Sequence, residues 1–383
     1  MKTTNLREGM RLKGGCVATL GCFDGVHLGH QLLISTVLRK AEEMGLPSVV
    51  MTFDRQPREL FDPDYRPQLL STLEEKEQLI AALGVDHLVV LPFTKELAAL
   101  TAQAFMQQVL CEQLGVQVLV TGYDNRFGRN RAEGFDDYVR YGKALGMEVL
   151  RGDEAVFPGT DEAVSSSAIR QLLQEGKVER MQDSLTRPYA LTGHVVAGEH
   201  IGHEIGFPTA NLAVDNPNKV IPAPGVYAVW AILGSGITNP AEQRMPAMMN
   251  IGTRPTFQGH SQTLEVHILN KVGDVYGQML TVEFVSRLRS EQRFDSPEAL
   301  VKQLKADRAK VIEILNKVKK KYEEGIDLSV GVCGYPVGGR RHCDGCLYPD
   351  EGTGNGGGCH RPDSHDGIGG CNHAGAVSVT EMG

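Results

Sequence analysis

Cys16-Val17-Ala18-Thr19-Leu20 runs directly into Gly21-Cys22-Phe23-Asp24-Gly25-Val26-His27-Leu28-Gly29-His30. The first five residues form an apolar run of strand length. From Gly29 to Met44, residues Leu33, Val37, Ala41 and Met44 fall at helical spacing, and Gly45 supplies a stop. The stretch therefore reads as strand, glycine-bearing loop and helix. It is neither the dinucleotide fingerprint nor a Walker loop, because the glycine spacing differs and no lysine follows. It still has the physics of a phosphate site. Glycines let the backbone approach a ligand closely, and a helix N-terminus attracts anions. His27 and His30, three apart, are neighbours on the first turn and can both donate hydrogen bonds to one triphosphate.

The same alternation continues outward to about Arg170. Further apolar runs stand at Val49–Phe53, His87–Leu91, Val116–Thr121 and Met147–Leu150. Helical periodicity fills Leu73–Leu83, Thr101–Leu114 and Gly134–Leu145, each ending against a glycine. Five strands alternating with helices predict an α/β fold, a doubly wound parallel sheet covered on both faces. Ligands on such sheets bind beyond the carboxyl ends of strands, where strand order reverses, so the loops after Leu20, Phe53 and Val120 are the expected site.

After Arg187-Pro188 the period changes. Tyr189–Val196, Val226–Leu233, Met245–Ile251, Leu264–Leu269 and Leu280–Val285 read as strands without intervening helices. Leu280, Val282 and Phe284 alternate with Thr281 and Glu283, as on a strand with one buried face. One long helix, Ser296 to about Tyr322, closes the pattern. The expectation is a small antiparallel β-barrel with a C-terminal helix packed on it.

The 383 residues, 41% hydrophobic and 22% charged, suffice for two domains with separate cores. Of the 44 glycines, 15 lie between Ser329 and Gly383, together with Cys333, Cys343, Cys346, Cys359 and Cys371. Residues 326–383 therefore read as a foreign glycine-rich tail. A disordered extension is the preferred reading. Its Cys-x-x-Cys at Cys343–Cys346 leaves a zinc site as the alternative. A net charge of −8 disfavours a nucleic-acid partner. No apolar run approaches a membrane span, and three cysteines in the body are too few for a disulfide framework, which favours a cytoplasmic setting.

Gly21–His30 resembles the nucleotidyltransferase signature, whose core is His-x-Gly-His. Its fuller form, Phe-Asp-Gly-x-His-x-Gly-His, is similar to the FAD synthetase module of bacterial bifunctional riboflavin kinase/FAD synthetases. Gly122-Tyr123-Asp124-Asn125-Arg126-Phe127-Gly128 resembles that family's Gly-x-Asp-Phe-x-Phe-Gly loop, and Ser165-Ser166-Ser167-Ala168-Ile169-Arg170 its Ser-Ser-Thr-x-Ile-Arg element. In the second half, Gly193–Gly198 and Gly202–Asn211 resemble the riboflavin kinase flap with its Pro-Thr-Ala-Asn motif. Gly225–Ala228, Met249–Phe257 and Leu264–Leu269 also follow the kinase pattern. The resemblance spans roughly residues 14 to 325.

It implies an FMN adenylyltransferase domain over residues 1–184 and a riboflavin kinase domain over 185–325. Riboflavin and ATP would give FMN, then FMN and ATP would give FAD and pyrophosphate. His27, His30 and Arg170 would hold the ATP phosphates, Ser165 and Ser166 closing with Arg170 on the β- and γ-phosphates. Gly21, Phe23, Asp24, Gly25, Gly29, the loop Asp124–Gly128 and Ser167 would complete the ATP and flavin contacts. In the barrel, Gly198, Gly202, Gly206 and Pro208 belong to the nucleotide cover, Thr209 and Asn211 would bind Mg²⁺, and Glu265 would act as general base. The partners implied are small molecules, with the oligomeric state open. Three positions depart from the pattern: Asn125 where phenylalanine is usual, His203 for arginine and Asn270 for aspartate. Asn125 predicts a weakened apolar contact, and His203 a weaker or pH-dependent hold on ATP. The rival readings are a single-activity transferase for another phosphate ester and a flavin- or nucleotide-binding regulator without catalysis.

Overall fold

The computed structural model describes residues 1–6, 14–157, 159–198, 205–234, 244–256, 259–269 and 273–323. Gly202, His203, Asn270 and the tail 326–383 lie outside them, so the readings made there stand as expectations.

The first half is a six-stranded parallel sheet. Its strands are β1 (Lys2–Asn5), β2 (Cys16–Leu20), β3 (Ser48–Phe53), β4 (His87–Leu91), β5 (Val116–Thr121) and β6 (Glu148–Arg151). They lie in the order β1-β4-β3-β2-β5-β6. One strand more than expected is present, because the polar Lys-Thr-Thr-Asn of β1 pairs with the edge of β4. The helices are α1 (Leu28–Met44), α2 (Pro57–Phe61), α3 (Leu73–Ala82), α4 (Lys95–Ala99), α5 (Ala102–Phe105) and α6 (Phe135–Leu145). After α5 the chain continues through a π-helical turn, Met106–Gln113. On α1, Leu33, Ile34, Val37 and Ala41 face the sheet, and Gly45 ends the helix at φ 62° with its N–H on the Ala41 and Glu42 carbonyls. β2 is buried along its whole length, as a central strand covered on both faces must be. Strand order reverses between β2 and β5, and this crevice is where the sheet presents a site.

Two helices absent from the periodicity reading, α7 (Ser166–Gln174) and α8 (Val178–Leu185), follow the sheet. The second half is a closed antiparallel barrel of β7 (Tyr189–Val196), β8 (Ala210–Val214), β9 (Gly225–Leu233), β10 (Met245–Thr256), β11 (Gly259–Ile268) and β12 (Met279–Arg289). Its interior is filled by Leu191, Leu212, Val229, Met249, Val266, Val282 and Phe284. On the outer wall, Val226, Ala228, Trp230 and Met248 take Val311 and Leu315 of α9 (Pro297–Glu323). Arg289 fixes that helix through the buried Asp307, with N–O distances of 2.8 and 3.0 Å. Ile169, Leu173, Val178, Met181 and Leu185 of α7 and α8 belong to the same apolar cluster as the barrel interior, and so do Leu28 and Leu70 of the first half. The α7–α8 hairpin thus ties the sheet to the barrel.

Candidate functional site

The loop between β2 and α1 is wound tightly. Phe23 (φ 48°), Gly25 (φ 81°) and Val26 (φ 41°) are all left-handed. For Phe23 and Val26 this costs on the order of 1–3 kcal/mol each. Packing holds them there, since Phe23 is fully buried and Val26 is 1% exposed. A Cβ at Gly25 would press on Leu70 at 3.0 Å and one at Gly21 on the ring of Phe23 at 3.1 Å, and at Gly25 the left-handed φ itself favours glycine.

The loop delivers His27 to the N-cap of α1 and His30 to its first turn. Their rings stack at 3.6 Å between centroids, with the edge of Phe23 against His30. The Nδ1 atoms of both are buried and have no hydrogen-bond partner among the described residues. Gly29 makes room for the His27 ring, which a Cβ there would touch at 3.3 Å. Burial, then the charges of Arg187 and Arg170, lowers the His27 pKa to about 4. Burial, then His27 and Lys76, holds His30 well below its ordinary value. Two neutral imidazoles with unsatisfied polar atoms therefore stand at a helix N-terminus whose first turn carries no acidic residue. That arrangement accepts an anion.

Asp24 faces the other way. Its carboxylate accepts from the backbone N–H of Leu70 (3.0 Å) and Ser71 (2.9 Å) and from Nη2 of Arg170 (2.5 Å). Arg170 also donates from Nε to the Gln68 carbonyl at 2.6 Å. Ser165 caps α7 by accepting from the Ala168 N–H, Ser166 donates to the Asp24 carbonyl at 2.9 Å, and Ser167 is exposed. The Ser-x-x-x-x-Arg element thus meets the His-x-x-His loop through Asp24, and Arg187 adds a bond to the Gly25 carbonyl at 2.7 Å.

Across the crevice, Asn125 donates to the Leu20 carbonyl at 2.7 Å and ties the β5 loop to the end of β2. The departure from phenylalanine therefore makes a polar link across the switch point. Phe127 is buried and stacks on Tyr138 at 4.1 Å, while Asp124 and Arg126 are exposed. Gly128 (φ 88°) packs against the backbone of Ala102. Beside this loop opens a cleft of about 730 Å³ walled by Phe53, Phe61, Phe93, Phe105 and Phe127, with Arg126, Arg129 and Arg131 around it. An apolar cavity of that size with a few charged groups suits a small organic anion with a flat apolar body.

Lys76 on α3 escaped the sequence reading. It is 9% exposed and donates to Thr52 Oγ1 at 3.3 Å, in a hollow of about 210 Å³ shared with Cys22, Asp24 and Ser71. Burial lowers its pKa, with Asp24 opposing. Thr72 and Glu75 form a capping box that marks the start of α3 in the sequence, but nothing local says that the next residue faces the loop of β2.

In the barrel, Glu265 of β11 stands opposite Asn211 of β8 on one side and Asn250 of β10 on the other. The three share one face of the wall, opposite the interior residues Leu264 and Val266. Asn250 is the member that sequence reasoning did not single out. The backbone of Gly198 lies directly against the Asn211 amide, where a Cβ would collide. Gly206 takes φ 78° just before Phe207 and the exposed Pro208, whose carbonyl is bonded to His267 Nδ1 at 2.8 Å. Thr209 and Asn211 thus stand at the start of β8 beside a carboxylate, all hard oxygen donors. Such a set fits a magnesium ion that keeps water and phosphate oxygens for its remaining positions.

The family model described as FAD synthetase matches residues 10–168, and that described as riboflavin kinase matches residues 185–315. A bifunctional riboflavin kinase/FMN adenylyltransferase of Escherichia coli (strain K12) is 39% identical over 293 residues, 76% of this chain and 90% of that protein. Its counterpart in Bacillus subtilis (strain 168) is 35% identical over 311 residues, covering 79% and 94%. A crystal structure described as a macrolide-efflux protein from Streptococcus pneumoniae is 32% identical, with a TM-score of 0.72 over 80% of this chain and 97% of that one. Efflux is said of that protein; among the described residues here no helix is long and apolar enough to cross a membrane.

Proposed function

The chain belongs to the family of bifunctional riboflavin kinase/FMN adenylyltransferases, and on that premise we propose how its two halves divide the work. The protein phosphorylates riboflavin with ATP to FMN, then adenylylates FMN with ATP to FAD and pyrophosphate. We assign adenylyl transfer to residues 1–184 and phosphorylation to residues 185–325.

In adenylyl transfer the FMN phosphate is already ionised, so a strong general base is unnecessary and catalysis can rest on alignment and charge stabilisation. His27 and His30 donate N–H groups to the triphosphate over the N-terminus of α1. Arg170, held through Nε and Nη2 by Gln68 and Asp24, presents Nη1 to the β- and γ-phosphates that depart together. Ser165–Ser167 bring the N-terminus of α7 to the same polyanion. Lys76, a buried cation without an ion-pair partner within 4 Å among the described residues, adds charge beneath it. The phenylalanine-walled cleft takes the isoalloxazine ring, with Asn125, Arg126 and Phe127 at its edge.

In phosphorylation the ribityl 5′-hydroxyl is a poor nucleophile, and Glu265 takes its proton. Magnesium, when bound by Thr209 and Asn211, supplies charge neutralisation on the triphosphate. Gly198 and Gly206 give the cover over the nucleotide its freedom to close. A cytoplasmic setting agrees with Cys16, Cys22 and Cys111 all being free thiols.

The observation that carries this reading is the pair of stacked histidines with orphaned Nδ1 atoms at the switch point of the sheet. The test is product analysis with purified variants, ATP and Mg²⁺. His27→Ala should stop at FMN, with FAD formation down by about 100-fold or more. Glu265→Gln should leave riboflavin unphosphorylated yet still convert supplied FMN to FAD. FAD formed at the wild-type rate by His27→Ala would reject the assignment.

A further inference from the structure

The connection from β8 to β9 leaves the barrel, and its Asn216 and Asn218 line the hollow that holds Lys76 and Asp24. Residues 216–219 form a turn, with the Asn218 N–H on Asn216 Oδ1 (2.9 Å) and the Lys219 N–H on the Asn216 carbonyl (3.1 Å). This turn lies alongside the first half of the chain. Leu69 donates to the Asn218 carbonyl at 2.8 Å, and Val220 donates back to the Leu69 carbonyl at 3.0 Å. Lys219, its side chain 4% exposed, donates to the Leu70 carbonyl at 2.8 Å and pairs with Glu75. The ring of Tyr189 lies 5.1 Å beneath its ammonium.

The opposite edge of the same short segment carries the phosphate loop. The N–H groups of Leu70 and Ser71 hold the Asp24 carboxylate, and Ser71 Oγ accepts from the Gly25 N–H at 2.8 Å. Glu75 also accepts from the Thr72 N–H and so fixes the start of α3, which carries Lys76. One dipeptide therefore has the barrel's lysine on its carbonyl side and Asp24 on its amide side.

We propose that Lys219, supplied by the kinase half, is a positioning residue for adenylyl transfer, setting the Leu70–Ser71 segment that orients Asp24, the His27 loop and Arg170. This rests on the assignment of that site above. Removing the lysine leaves a nearly buried Glu75 carboxylate and the Leu70 carbonyl without their partner, which destabilises this one arrangement of the segment. Displacement of the reacting groups by about 1 Å lowers a rate by about 100-fold. The kinase face depends instead on β8 being paired with Gly193–Val196 of β7 and Glu265–Val266 of β11, and the contacts of Lys219 with Leu70, Glu75 and Tyr189 involve none of these residues.

The test compares Lys219→Met, Glu75→Gln and the double variant in the full chain, with both half-reactions measured separately. The expected result is a fall of 10-fold or more in kcat for FAD formation, with the KM for FMN and riboflavin phosphorylation both within twofold of wild type. The double variant should lose no more than the worse single variant, because the two side chains act as one unit. Unchanged FAD formation, equal loss of both activities, or additive losses would overturn the proposal. His27→Ala in parallel separates the two levels: if it abolishes FAD formation while Lys219→Met does not, only the role of Lys219 falls. If His27→Ala is inert, the site assignment falls and this proposal with it.

Discussion

His27 and His30 are both kept neutral, chiefly by burial, and this ties the resting site to pH. Unfolded, each titrates near 6.5; folded, His27 titrates at about 4, and burial holds His30 well below its ordinary value. Below pH 6.5 the unfolded chain therefore binds more protons than the folded one, and stability falls as pH drops toward 4. Each fully differential proton contributes a slope of about 1.4 kcal/mol per pH unit. Urea unfolding of the ligand-free protein at pH 7.5, 6 and 5 should show the loss, and His27→Asn should flatten it. Equal slopes in the two proteins would mean that His27 is not held neutral. The His-x-x-His spacing and the loop around it were legible because strand, glycines and helix start stand together in the fifteen residues Cys16–His30. The grip of Asp24 on Leu70 and Ser71 was not legible, because its partners lie 46 and 47 residues away. Asn125 was noticed as a departure, but its bond to Leu20 spans 105 residues and only the fold reveals it.

Among the elements, the loop after β5 owes its shape to α6 and α5. The Tyr138 hydroxyl accepts from the Phe127 N–H at 2.9 Å and reaches the Glu133 and Phe127 carbonyls at 3.1 and 3.3 Å. Tyr138→Phe leaves these buried groups unsatisfied and should cost about 1–3 kcal/mol in urea unfolding, with a raised KM for FMN. Gly128→Ala is harsher: at φ 88° its Cβ would lie 2.5 Å from the Ala102 backbone nitrogen, which cannot yield. A loss above about 2 kcal/mol is expected there, and a neutral substitution would show the loop to be set differently. Central strands such as β2 and β3 were readable as apolar runs. β1 was not, since an edge strand of Lys-Thr-Thr-Asn has no buried face to advertise. β8 was quoted for its Thr-Ala-Asn chemistry rather than seen as a strand, because Ala210–Val214 is short and only half-buried. Thr101–Leu114 read as one uniform helix, and the π-helical register of its second part leaves no mark on a 3.6-residue pattern.

At the scale of the whole molecule, α7 and α8 bury one apolar face against the barrel, and Arg287 fastens them through its backbone N–H on Glu179 Oε1. Expressed alone, residues 1–184 would expose Ile169, Leu173 and Met181 and lose the Lys219 clamp. That fragment should be aggregation-prone and poor at making FAD, whereas residues 185–325 should still phosphorylate riboflavin. A fully active, monomeric 1–184 fragment would argue that the shared core is incidental. The central claim is that one chain holds its nucleotide cosubstrate in two separate cradles. The most direct measurement is a crystal structure of the full chain soaked with a non-hydrolysable ATP analogue, FMN and Mg²⁺. The account predicts one triphosphate over His27, His30 and Arg170 and a second beside Thr209, Asn211 and Glu265. Both places empty, with the analogue bound elsewhere, would contradict it.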